Sequence, residues 1–118
     1  MKTNWETIVT DLKGRAQKMH EGREVGLAKC RILIQTSAKC IRHIHRNQFP
    51  EAHSLLADAQ RIATDARTAL APFPELYYAG FLHDAEKEMV EAAAVLAIIE
   101  ERPYPSPLEL GAGVMSYL

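Results

Sequence analysis

The sequence predicts an all-α fold, an antiparallel bundle of helices that forms one domain over residues 1–118. Proline is absent from Trp5 to Arg46. Within that stretch two rows of residues recur every seven positions, as helix seams do: Leu27, Ile34 and Ile41, and Cys30, Ser37 and Ile44. The alternation of apolar and polar residues that marks a half-buried β-strand does not occur. The 118 residues are 47% hydrophobic and 25% charged, which fits one packed domain and argues against intrinsic disorder.

The first helix is expected from about Trp5 to Arg46, and proline ends it shortly afterwards. Gly14, Gly22 and Gly26 weaken its first half, because glycine costs about 1 kcal/mol relative to alanine inside a helix. Its well-formed part is therefore predicted over residues 24–46.

The second and third helices are separated by the segment 72–74, which contains two prolines. Pro50 opens the second helix. The apolar stripe of that helix comprises Leu55, Ala59, Ile62, Ala66 and Leu70. The third helix is predicted from about Glu75 to Glu101, and its apolar face comprises Leu82, Ala85, Met89, Ala93 and Leu96.

The segment after the third helix is expected to be extended, because three prolines fall between positions 103 and 107. Ser106 then caps a short helical turn that begins at Pro107. Residues 114–118 are mostly apolar and are typical of the opening of another helix, so the bundle is expected to be incomplete at its C-terminus. Apolar stripes broader than three helices can cover also predict a homo-oligomer.

The positions of the charged residues and of the two cysteines limit what kind of protein this can be. Residues 1–47 hold ten Lys or Arg against four Asp or Glu, whereas residues 48–118 hold four against eleven. This asymmetry fits one element facing phosphates and another holding cations, or else helices that neutralise one another. Cys30 and Cys40 lie about 15 Å apart along a helix, too far for a disulfide. With no secretory signal and no run of 18 apolar residues, a cytoplasmic protein without a membrane segment is expected.

Three carboxylates share one face of the predicted third helix. Asp84, Glu88 and Glu91 lie within about 60° of one another on a helical wheel, with Tyr77, Phe81, Val95 and Ile98 at the two ends of the patch. Hard oxygen ligands of this kind favour Mg²⁺ or Mn²⁺. The alternative is an exposed acidic face, or salt bridges to a neighbouring subunit.

A basic stripe follows one face of the first helix, where Arg31, Lys39, Arg42 and Arg46 recur with Gln35 between them. It lies beside the row Leu27, Ile34 and Ile41 and would border the concavity that packing of this row creates. Arginine binds phosphate oxygens well, so such a stripe would hold a nucleic-acid backbone rather than read its bases. A solvated face paired with the acidic later helices would leave the same pattern.

Four segments resemble the translin and translin-associated factor X family, in the same order and spacing over about residues 24–118. They are CIRHIHR and FPEA within 40–52, PELYYAGF at 74–81, EMVEA at 88–92 and PSPLELG at 105–111. The resemblance is greatest to the archaeal members.

The resemblance implies an all-α protein that assembles into a hollow oligomer and binds RNA and single-stranded nucleic acid. In the translin-associated factor X branch, which cuts RNA with Mg²⁺, the acids of E-x-V-E-A are catalytic and correspond to Glu88 and Glu91. Translin itself lacks these acids, so this chain resembles the catalytic branch. A basic residue of the family's first helix corresponds to Arg31. The family continues into further helices that supply an Asp and a Glu to the acidic site, which this sequence does not contain.

The expected function is therefore a Mg²⁺-dependent endoribonuclease that binds RNA or single-stranded DNA. Glu88 and Glu91, helped by Asp84, would hold the metal, and the basic stripe would hold the RNA. Two alternatives remain open. One is a non-catalytic nucleic-acid-binding or scaffold subunit, favoured by the missing acids. The other is an all-α nucleotide pyrophosphohydrolase, which ranks last because its second motif, ExxD, does not follow Glu91.

Overall fold

The computed structural model describes residues 3–113 and Ser116, and all regular secondary structure within them is helical. The helices are α1 (Asn4–His45), α2 (Phe49–Leu70), α3 (Pro74–Tyr77), α4 (Phe81–Ile99) and α5 (Pro107–Leu110). The all-α prediction is confirmed. None of the helices in the described part of the chain combines the length and apolarity needed to cross a membrane.

Helix α1 is continuous over 42 residues, so the well-formed part is longer than the predicted residues 24–46. A capping box begins it: the Thr3 hydroxyl accepts a hydrogen bond from the backbone N–H of Glu6, and the Glu6 side chain accepts one from the backbone N–H of Thr3. The chain turns at Asn47, which has a φ of +58°. Asparagine tolerates this left-handed conformation better than most residues.

Two of the three glycines in α1 serve close packing, which offsets their low helix propensity. A Cβ atom built on Gly26 would lie 2.5 Å from Leu70, and one built on Gly22 would lie 2.5 Å from Phe73. The end of α2 and the segment after it therefore approach the α1 backbone directly. Nothing lies within 4 Å of the corresponding position on Gly14.

The core lies between α1, α2 and α4. One row of α1 is buried in its C-terminal half: Gly26, Cys30, Leu33, Ser37, Cys40 and Ile44. It contains the second of the two predicted seams, and Ile34 of the first seam is exposed. Small side chains in this row let α2 approach closely, which explains why it was buried in preference to the bulkier row Leu27, Ile34 and Ile41.

The predicted third helix is two helices in the structure. Gly80 has a φ of +108°, a conformation that side-chain-bearing residues rarely adopt, and it separates the single turn of α3 from α4. The apolar face predicted for this helix is buried in α4, as is the predicted cap of α5, where the Ser106 hydroxyl accepts from the N–H of Glu109. Of the predicted helix opening at 114–118, only the helical Ser116 is among the described residues.

Candidate nucleic-acid interface and acidic patch

The basic stripe lies on the outer face of α1. Its four cations are Arg31, Lys39, Arg42 and Arg46, and all four are exposed. At 100° per residue, the stripe is centred roughly 180° from the buried row of α1. It therefore faces solvent and points away from the core, instead of bordering a concavity beside the seam. From Arg31 to Arg46 it spans about 22 Å.

No carboxylate neutralises the stripe within residues 3–113 and Ser116. The ion pairs of this region are Arg23–Glu24, His53–Glu100, Arg61–Asp58, Arg67–Glu86 and Arg102–Glu100. None involves Arg31, Lys39, Arg42 or Arg46. The pairing with later helices that would make the stripe an ordinary solvated face is therefore not found in the described structure.

The three predicted acids lie on the side of α4 that faces away from its buried residues. Asp84 and Glu91 are exposed, and Glu88 is half-buried. Asp84 also lies in the first turn of α4, where a negative charge interacts favourably with the helix dipole. Tyr77, expected at one end of this patch, belongs instead to α3.

The acids share a face without converging on a point. Among the side chains that the structure describes, no three or more His, Cys, Asp or Glu residues are grouped so that they could hold a metal ion. Val95, which follows the acids on that side of α4, packs against the cluster of Cys40, Ile44, Ala92 and Leu96, as does Ile41 of α1.

A polar network around Glu86 was missed by the sequence analysis. The Glu86 side chain is only 4% exposed. Its Oε1 accepts a hydrogen bond from Arg67 Nε. Its Oε2 accepts from the backbone N–H of Gly113 at 3.1 Å and from the Ser116 hydroxyl at 3.0 Å. The hydrogen bond to Glu86 raises the pKa of the Arg67 guanidinium, so this residue stays charged.

His83 completes the network, and its tautomer follows from the hydrogen count. Its Nδ1 lies 3.0 Å from the Ser116 hydroxyl oxygen. Ser116 has one hydroxyl hydrogen and donates it to Glu86, so the oxygen can only accept from His83. His83 therefore carries a proton on Nδ1. These residues, with Tyr77 and Tyr78, line a cavity of about 580 Å³.

One sequence signal could have revealed Glu86. On the α4 wheel it falls among Leu82, Met89 and Ala93, which makes it an acid on the apolar face. A buried carboxylate requires a partner, so this position already predicts an ion pair. The sequence does not say which cation is the partner, because Arg67 lies on a different helix.

Comparison with models of protein families, with curated proteins and with solved structures finds no match to this chain.

Proposed function

We propose that this chain is a translin-like bundle that binds the phosphate backbone of RNA or single-stranded DNA through the basic stripe of α1. The observation that carries the proposal is the exposure of four cations on one helix face with no carboxylate partner in the described structure. Self-neutralising helices would have paired them with the acid-rich later helices. The segments that resemble the translin family favour the same function.

The chemistry of the stripe suits phosphate rather than bases. Three of its four cations are arginines, whose planar guanidinium groups donate to two phosphate oxygens at once. The stripe is a convex helix face without an aromatic side chain, so it offers no platform on which bases would stack. Binding is therefore expected to depend strongly on salt and weakly on sequence.

The test is fluorescence anisotropy with a labelled single-stranded RNA at several salt concentrations. Charge reversal by Arg42→Glu with Arg46→Glu is expected to weaken binding more than tenfold at low salt. It should also reduce the slope of log affinity against log salt by about 1.4, from about 0.7 for each lost phosphate contact on a single strand. Arg61→Glu is the control, because Arg61 is an exposed cation on α2 that already pairs with Asp58. An equal loss in both proteins would rule out a specific role for the stripe.

A second candidate function is Mg²⁺-dependent cleavage of the bound RNA. Its specific support is the shared face of Asp84, Glu88 and Glu91 on α4, with Glu88 half-buried. Carboxylates are the ligand type that Mg²⁺ prefers, and this ion is usually held by one or two of them together with water and substrate phosphate. Glu88 and Glu91, one turn apart, would hold it, with Asp84 beside them. Bound there, the metal would activate water and neutralise the phosphate.

Cleavage is tested by incubating the labelled RNA with the protein in Mg²⁺ and in EDTA. Loss of cleavage in EDTA and in Glu88→Gln, with binding retained, supports the catalytic assignment. Glu75→Gln, an exposed acid outside the patch, is the control. Binding without cleavage in Mg²⁺ would instead favour the non-catalytic subunit.

A further inference from the structure

The N-terminal part of α1 extends beyond the bundle. Residues 3–18 are all exposed except the half-buried Val9, and none belongs to a hydrophobic cluster. Met19 is the first residue of α1 that packs against the core. The principal dimensions of 68 × 22 × 16 Å reflect this projecting helix. We call residues 3–18 the free arm.

The free arm carries apolar side chains in register with the buried row of α1. Stepping back by sevens from Leu33 and Gly26 reaches Leu12 and Trp5, and from Cys30 it reaches Ala16 and Val9. On a straight helix these four side chains form one stripe on the arm, rotated by about 70° from the buried row because each seven-residue step drifts by about 20°. Trp5 is 72% exposed and Leu12 is 58% exposed. A coiled-coil seam of this kind requires a partner helix.

We propose that two copies of this chain associate through their free arms, packed antiparallel about a twofold axis. The pairing places residue i of one copy opposite residue 21 − i of the other. Leu12 then lies opposite Val9, and the large Trp5 lies opposite the small Ala16, so each layer joins two side chains that fill it without crowding.

Charge selects the antiparallel arrangement. Glu6 and Lys13 flank the seam on the same side, and Glu6 of each copy would lie near Lys13 of the other, two residues along from the position directly opposite, so the pair would form twice by symmetry. In a parallel pair, Arg15 would meet the next flanking residue, His20, and no oppositely charged pair would form. Trp5 would also face Trp5, leaving Ala16 against Ala16.

The length of the arm matches the pairing. Thr3 of one copy would lie opposite Lys18 of the other, the last residue before the bundle begins at Met19. Each arm would be covered along its whole length, and the two bundles would lie at opposite ends without meeting. An isolated helix of about 15 residues is marginal in water, so pairing would also stabilise the arm.

Sedimentation of the full chain over a range of concentrations tests the proposal. A species of twice the 13.2 kDa chain mass is expected, and Leu12→Asp should raise its dissociation constant at least 100-fold. Leu108→Asp is the matched control, since Leu108 is even more exposed but lies outside the arm. Lys13→Glu should also weaken the dimer, because it would place a second carboxylate near Glu6 of the other copy.

Cross-linking distinguishes the two directions. A mixture of Val9→Cys and Leu12→Cys proteins should form a disulfide-linked heterodimer on mild oxidation, whereas Leu12→Cys alone should not link to itself. Efficient self-linking of Leu12→Cys would instead indicate a parallel pair and overturn the proposed geometry. A chain that remains monomeric at about 100 µM would overturn the dimer itself.

Discussion

At the scale of single residues, the buried Glu86 has the largest expected effect on stability. Its two carboxylate oxygens accept hydrogen bonds from α2 and from the segment after α5. Arg67 is itself partly buried, with its side chain 24% exposed, so removing the acid leaves a partly buried charge without a partner. We expect Glu86→Ala to lower the free energy of unfolding by about 3 kcal/mol, measured by urea denaturation. Asp58→Ala, which breaks the exposed pair with Arg61, should cost less than about 1 kcal/mol.

A double replacement separates the charge effect from packing. Arg67→Met with Glu86→Leu removes both charges and should recover most of the stability lost in Glu86→Ala, because the buried cation is no longer left alone. If the double variant is as unstable as the single one, the network stabilises the protein through the hydrogen bonds to Gly113 and Ser116 and not through the ion pair.

The two thiols of the core give a prediction for pH. Burial raises the pKa of Cys30 to about 11, with the nearby charge of Glu86 adding to the effect, and burial raises that of Cys40 to about 11. In the unfolded chain these thiols lose their protons near their ordinary pKa of 9.0. The folded state therefore binds more protons between these values, and stability should be unaffected below about pH 9 and fall as pH rises toward 11.

This prediction is checked by urea midpoints at pH 8 and pH 10.5. The decrease in midpoint should be smaller in Cys30→Ala with Cys40→Ala than in the wild type. Alkylation of the wild-type thiols at pH 8 should be slow and should accelerate only with unfolding, because both are buried. Equal pH dependence in both proteins would assign the effect to other groups.

The residues of the candidate sites could be predicted from the sequence to different degrees, for a physical reason. The basic stripe is a property of one helix, so helical periodicity in the sequence was enough to group Arg31 with Arg46. The Glu86 network joins α2, α4 and the segment after α5, and one-dimensional periodicity contains no information about such contacts. The inference that Asp84, Glu88 and Glu91 bind a metal remains a prediction.

At the element scale, the glycines of α1 have opposite roles that the sequence does not distinguish. Gly26 meets the fully buried Leu70, which has no room to move, so Gly26→Ala should destabilise the protein by about 1–3 kcal/mol despite alanine's better helix propensity. Gly14→Ala has open space around it and should be neutral or stabilising by up to about 1 kcal/mol. Thermal unfolding of the two variants compares them directly. A stabilising Gly26→Ala would mean that α2 can shift away from α1.

The elements bounded by proline were predicted well. Proline fixes φ and cannot donate a backbone hydrogen bond, so Pro50 at the start of α2 and Pro107 at the start of α5 act locally. The break at Gly80 was missed because glycine permits a positive φ without requiring it. Likewise, two heptad rows were visible in α1, and only packing against α2 and α4 selected the buried one.

At the scale of the whole molecule, α1 has two segments with different surroundings. Residues 26–44 contribute the buried row, and the basic stripe occupies the opposite face of nearly the same turns. The free arm projects from the other end with no helix packed on it in the described structure. A nucleic acid on the stripe and a second copy on the arm would therefore occupy separate parts of one helix.

This division predicts a gradient of local stability along α1. Opening the turns of the free arm breaks helical hydrogen bonds without exposing the core, whereas opening residues 26–44 exposes Leu33, Cys40 and Ile44. In the monomer, amide hydrogens within 8–18 should therefore exchange at least about 100-fold faster, relative to their intrinsic rates, than those within 30–44. Hydrogen exchange followed by mass spectrometry or NMR measures this ratio.

The Leu12→Asp protein allows the comparison at concentrations where the wild type would pair. At high concentration, the arm of the wild type should be protected from exchange, and the arm of this variant should not. Uniform protection along α1 in the variant would contradict the gradient, since it would mean that the arm opens only when the bundle does.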